Sequence, residues 1–172
     1  LPKNFAAFGE RLLKNCADSK NRLCSPGDNL NEKIAKAGHA PFRIAELATS
    51  LQNLFATLKK QQASKQIKEQ DQTMEAILVH AGILSHFVGD IANPHHTTAN
   101  YDSRDSEQAG LHSYFESDVL GAQDLALEAT VLDEARRHHP AAKFPAKSDY
   151  LSLAWQLALE SHTKLEELEQ LD

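Results

Sequence analysis

The stretch Gln72-Thr73-Met74-Glu75-Ala76-Ile77-Leu78-Val79-His80-Ala81-Gly82-Ile83-Leu84-Ser85-His86-Phe87-Val88-Gly89-Asp90-Ile91 decides the fold class. It holds no Pro, no hairpin turn pair and no sustained alternation of β-branched residues, so it predicts a helix over about 72–91. Asp71 stands where an N-cap is expected, and Asn93-Pro94 ends the run. Ile77, Leu78, Val79, Ala81, Ile83, Leu84, Phe87 and Val88 cover most of its faces. Such a helix is expected to be buried between neighbours.

Helical patterns flank it on both sides. Upstream, Pro41 suits a first helical turn, and Phe42, Ala45, Leu47, Ala48, Leu51, Leu54, Phe55 and Leu58 make one apolar stripe. The polar run Gln61–Gln72 reads as a solvated helix end or a loop. Earlier still, a helix is predicted from Leu1 to about Leu23, a break at Ser25-Pro26-Gly27-Asp28, and a short helix over 30–37 that stops at Gly38. Downstream, residues 92–110 read as a long polar loop, of a length that is usually functional or disordered. Helices follow over about 110–120 and 123–137. A Pro-containing connection then leads to a last helix capped by Ser148 and carrying Leu151, Leu153, Trp155, Leu157 and Leu165. The expectation is one all-α bundle over residues 1–172, with its chemistry concentrated at about 72–120.

A length of 172 residues suffices for one buried core, and 41% apolar residues mark an ordinary globular chain. A net charge of -6 argues against a broad basic surface for nucleic acid. No apolar run approaches the ~20 residues that cross a bilayer, so no transmembrane segment is expected. Cys16 and Cys24 can form one disulfide, which suits an oxidising compartment, or stay as two thiols; the sequence leaves both open. No CxxC spacing offers a thiolate zinc site.

Nine histidines are the compositional signature, and seven of them fall between His80 and His139. His86 and Asp90, four apart on a helix, lie about 40° apart on one face. His112 and Glu116 repeat that spacing, and the loop between the pairs carries His95 and His96. Imidazole and carboxylate are zinc ligands, and a catalytic zinc keeps one position open for water. His96, His112 and Glu116 would supply three ligands, with His86 and Asp90 as part of a neighbouring site. The Glu-x-x-His pairs of di-iron bundles, the H-E-x-x-H string, a phosphate-binding Gly loop and a G-x-S-x-G elbow are all missing. Other histidines read more plainly. His39 could add a ligand but more simply belongs to a loop, His80 bonds to a neighbour, and His138 and His139 complement a helix end. His162 sits on a solvated face, Trp155 in the core, and Asp102, Asp105 and Glu107 in a solvated acidic loop.

The string Leu84-Ser85-His86-Phe87-Val88-Gly89-Asp90-Ile91-Ala92-Asn93-Pro94-His95-His96 resembles the central motif of the zinc-dependent phospholipase C and single-strand-specific nuclease superfamily: His-x-x-Gly-Asp, then Pro, then His six places after the Asp. His96, not His95, meets that spacing. Thr97–Asp102, Gly110-Leu111-His112-Ser113-Tyr114-Phe115-Glu116 and Ala40-Pro41-Phe42-Arg43-Ile44-Ala45-Glu46 are similar to the bacterial phospholipase C-like branch, so the resemblance spans about residues 38–120.

The resemblance implies a helical cleft with up to three zinc ions, at least one of them here. His86 and Asp90 would serve the first, Asp90 would bridge to a third and act in catalysis, and His96, His112 and Glu116 would hold the second. Asn100 and Tyr101 would contact substrate. The implied activity is hydrolysis of phosphodiester or phosphomonoester bonds in phospholipid head groups or nucleotides, by a secreted or periplasmic protein. Members complete the first and third sites with an N-terminal Trp, a nearby His, and a further Asp and His. Here residue 1 is Leu and no His precedes His39, so the native N-terminal segment is expected to be missing. A catalytically silent helical module with a structural zinc, working through a partner, is the alternative.

Overall fold

The computed structural model describes residues 2–17, 25, 27–119, 121–122, 126–138 and 149–170. Among them every regular element is helical, which bears out the all-α expectation. α1 (Phe5–Cys16), α2 (Leu30–Ala37), α3 (Ala40–Ala63) and α4 (Ile67–Ala92) come first. Two 3-10 turns follow, Pro94–Thr97 and Arg104–Ser106, and then α5 (Leu111–Ser113), which runs on into a π-helical turn, Tyr114–Val119. α6 (Ala126–His138), α7 (Tyr150–His162) and α8 (Leu165–Glu169) complete the described elements.

Local chemistry sets most of the boundaries. The Asn4 side chain accepts from the Ala7 N–H at 2.8 Å to open α1. Asn29 and Glu32 close a reciprocal capping box on α2, each side chain bonded to the other's backbone N–H. Gly38 takes φ +74°, a left-handed value that ends α2 and turns the chain into α3 with Pro41 in its first turn. Asp149 opens α7 by accepting from Ser152 N–H; Ser148 lies outside the described residues. The last helix is interrupted at Thr163, so Leu165 belongs to a separate short element.

α3 packs along both α4 and α7, and α4 also meets α7. At their junction Ile44, Ile91 and Ala154 are buried, with Leu84, Phe87, Val88 and Leu157 against them. Burying an Ile side chain stabilises by roughly 1.5–3 kcal/mol relative to leaving it in water. A second apolar contact joins α1 to this frame. Phe5 meets Phe42 edge-on, Phe8 lies tilted against it, and Phe42 meets Trp155 edge-on at 5.9 Å. Trp155 thus lies in the apolar interior, half-buried.

Two expectations about α4 need correction. It begins at Ile67 after Gln66, not at Asp71, because the polar run is rich in Gln, Lys and Glu, which are good helix formers. Nor is it buried on most faces: Leu78 is 66% exposed and Val79 59%, with Met74 and Ile83 also open. By length and composition alone it meets the requirement for crossing a bilayer, at a mean hydropathy of 1.3 over its most apolar window. Cys16 is disulfide-bonded, and Cys24, like His139, lies outside the described residues.

Candidate metal centre

The segment after α4 builds the site. Asn93 ends α4 and opens the 3-10 turn, where its side-chain oxygen accepts from the His95 N–H at 3.0 Å. That turn places His95 inward and His96 toward the next helix. Gly110, at φ +95°, starts α5. The following residues widen into a π turn, a distortion often found at functional sites. Within this wider coil His112 and Glu116 still meet, with Nε2 and Oε1 3.0 Å apart.

Three ligating atoms converge there. His96 Nε2 lies 3.1 Å from Glu116 Oε1, and the His96 and His112 Nε2 atoms are 3.2 Å apart. The triangle therefore has edges of 3.0, 3.1 and 3.2 Å. Ligands about 2.05 Å from a tetrahedral zinc stand about 3.3 Å from one another. The donor set of two imidazoles and a carboxylate, and its spacing, thus fit one face of a zinc tetrahedron. Asn93 also donates to Glu116 Oε1 at 2.7 Å, tying the end of α4 to the π turn. Burial works to raise the Glu116 carboxyl, but bonds from His112, Asn93 and His96 outweigh it and hold the group below its usual range.

The other predicted ligands do not join this cluster. His86 Nε2 and Asp90 Oδ2 pair at 3.3 Å on the α4 surface, as their spacing requires, with the His86 side chain 70% exposed. Among the described residues the only group of three or more ligating side chains is His96, His112 and Glu116, so no described side chain completes a site with His86 and Asp90. Tyr101 is exposed, with its ring 6.3 Å from that of His112, open to a bound molecule. Asn100 is engaged inside the loop, accepting from Asp105 N–H and donating to Ser106.

No family model, no curated protein and no solved structure matches this chain.

Several residues outside the predicted set shape the site. His95 has no exposed surface, and its ring lies nearly parallel to that of His112, 5.2 Å away. Neither of its ring nitrogens has a partner among the described residues. Burial pushes its pKa down, and the neighbouring His112 adds to the effect, so the ring is held neutral. Asp102 is no solvated acid: it binds Arg104 Nε at 3.0 Å and accepts from Gly110 N–H at 3.1 Å, holding the loop onto α5. His80, expected to be a core residue bonded to a neighbour, does bond the Ala76 carbonyl one turn back but is only half-buried. A cleft of about 640 Å³ opens beside the cluster. His95, His96 and His112 line one end, and Phe8, Ile91 and Trp155 part of its wall. His39 and His162 reach the same cleft, which their surface-residue pattern does not reveal. The sequence carries no signal for His162, since Thr97, which it contacts, is 65 positions away.

Proposed function

We propose that this chain is the core of a zinc-dependent hydrolase of phosphate esters, with zinc held by His96, His112 and Glu116. The observation that carries the reading is the triangle of three Lewis-basic atoms at tetrahedral-edge spacing, together with the open cleft beside it. A bound zinc would supply a Lewis acid and a water of lowered pKa. The chain's own groups have separable tasks. His96 and His112 would offer imidazole lone pairs to the ion, Glu116 would bring a negative charge, and Asn93 fixes that carboxylate's orientation. Tyr101, exposed beside His112 and lining the cleft, is the candidate contact to a phosphate ester, whereas Asp90, paired with His86 outside the cluster, is given no part at this zinc. A disulfide at Cys16 supports secretion or a periplasmic setting. The substrate class is a phospholipid head group or a nucleotide.

His86 and Asp90, lacking a third described ligand, favour a second reading: a silent module in which the His96–His112–Glu116 zinc is structural. Assay of the zinc-loaded chain on bis(4-nitrophenyl) phosphate and 4-nitrophenyl phosphate separates the two. The hydrolase reading expects turnover that disappears in His112→Ala. Tight zinc binding with no turnover of either ester would reject it in favour of the structural role.

A further inference from the structure

The cleft beside the triad has a second polar end, and its hydrogen-bonding sense can be worked out. The Thr97 hydroxyl lies 2.7 Å from the Pro94 carbonyl and 3.3 Å from His162 Nδ1. A carbonyl only accepts, so the single hydroxyl proton of Thr97 goes to Pro94. Thr97 can then only accept from His162. Nδ1 therefore carries the imidazole proton, and in the neutral ring Nε2 carries the lone pair. His162 is exposed and lines the cleft, so this acceptor is open to an incoming molecule.

Most of the remaining surround is apolar, with Lys36, His39, Thr98 and Tyr101 as its polar members. Phe8, Pro41, Ile91, Trp155 and Leu159 contribute to the wall, and the volume of about 640 Å³ lies within the roughly 300–1,000 Å³ of small-molecule sites. An apolar wall favours an apolar body, and a fixed acceptor at the mouth requires a donor on the ligand. We propose that this cleft binds an alcohol with an apolar body, its hydroxyl donating to Nε2 of His162. A carboxylate or phosphate offers only acceptors at that point and does not match the Nε2 lone pair of this tautomer. This site goes beyond the hydrolase reading and needs no metal, since its anchor lies outside the His96–His112–Glu116 triad.

Trp155 is the single tryptophan of the chain, so its indole N–H gives one resonance that reports directly on the cleft. The experiment follows that resonance by ¹⁵N–¹H NMR during titration with 1-octanol or 1-methoxyheptane, a chain of similar length that cannot donate. EDTA is present throughout. Both probes should shift the resonance saturably, with octanol binding about five- to tenfold more tightly, the worth of one hydrogen bond. His162→Leu, at an exposed position, should erase that preference, and Thr97→Val should weaken it by releasing the tautomer. Ala99→Phe, at the exposed rim, should weaken both probes. No saturable shift, equal affinities in the wild type, or a preference that survives His162→Leu would overturn the proposal; a preference unchanged in Thr97→Val would overturn the tautomer step. Because zinc is chelated, such a failure leaves the metal reading standing, and a chain that binds no zinc leaves this site standing.

Discussion

Replacing His95 by leucine should stabilise the protein, although it removes a polar ring beside the candidate metal centre. The ring has no exposed surface, and both its nitrogens are buried without a partner among the described residues. An unsatisfied buried polar atom costs about 1–3 kcal/mol. The substitution removes two of them and forfeits the stack on His112, worth about 0.5–1.5 kcal/mol. The net gain expected in EDTA at pH 7.5 is about 1.5–4.5 kcal/mol. In a chain of this size each kcal/mol moves Tm by about 2–4 °C. The gain should also depend on pH. Burial lowers the folded-state pKa of His95 below 6.5, so well above 6.5 both states are neutral and the ring's titration contributes nothing. Below 6.5 the unfolded chain takes up the proton first and binds more protons than the folded one. Wild-type stability therefore falls as pH drops toward the folded pKa. The His95→Leu protein has no ring to protonate there, so its advantage should widen between pH 7.5 and 5.5. Urea unfolding of both proteins at the two pH values measures it. A variant less stable than wild type at pH 7.5, or a gap that fails to widen, would refute the reasoning and mean that His95 has partners in solution.

Other consequences can be checked in parallel. Asn93→Ala removes the bond that orients Glu116 and should weaken zinc binding about 10–100-fold in a competition assay against a chelating dye. Asn29→Ala breaks the capping box of α2 and should cost about 1 kcal/mol in chemical denaturation. Leu78→Glu places a charge on a side chain that is 66% exposed, so stability should change by no more than about 0.5 kcal/mol, whereas a loss of several would show that something covers this face of α4. Ile44→Ala, in the junction of α3, α4 and α7, should cost about 2–5 kcal/mol by the same measurement.

The long-helix pair is legible in the sequence because its signals are local: Pro41 at the start of α3, the spacing of Leu47, Leu51 and Leu58, and the Asn93-Pro94 stop. The beginning of α4 is not, because a run of Gln and Lys is polar enough to read as loop and helix-forming enough to be helix. Its burial is not legible either, because composition records how apolar a face is and not whether a neighbour reaches it; Val79 and Ile83 stay exposed. In the site, the four-residue spacing of His112 and Glu116 carries over directly, even through a π turn. The choice of His96 over His95 matches the placement of one ring in the triangle and the other beneath it, stacked on His112. In sequence Asn93 reads only as a helix stop. Its second task, bonding Glu116 across 23 positions, and the arrival of His162 at Thr97 are tertiary facts with no local trace.

The proposed centre reduces to one ion and three side chains. X-ray absorption at the zinc edge, on protein loaded with one equivalent, reads that shell directly. It should show two imidazole nitrogens and light oxygen ligands at about 2.0–2.1 Å, with an imidazole contribution that falls by half in His112→Ala. A spectrum of hydrated zinc, or one unchanged by that substitution, would contradict the account.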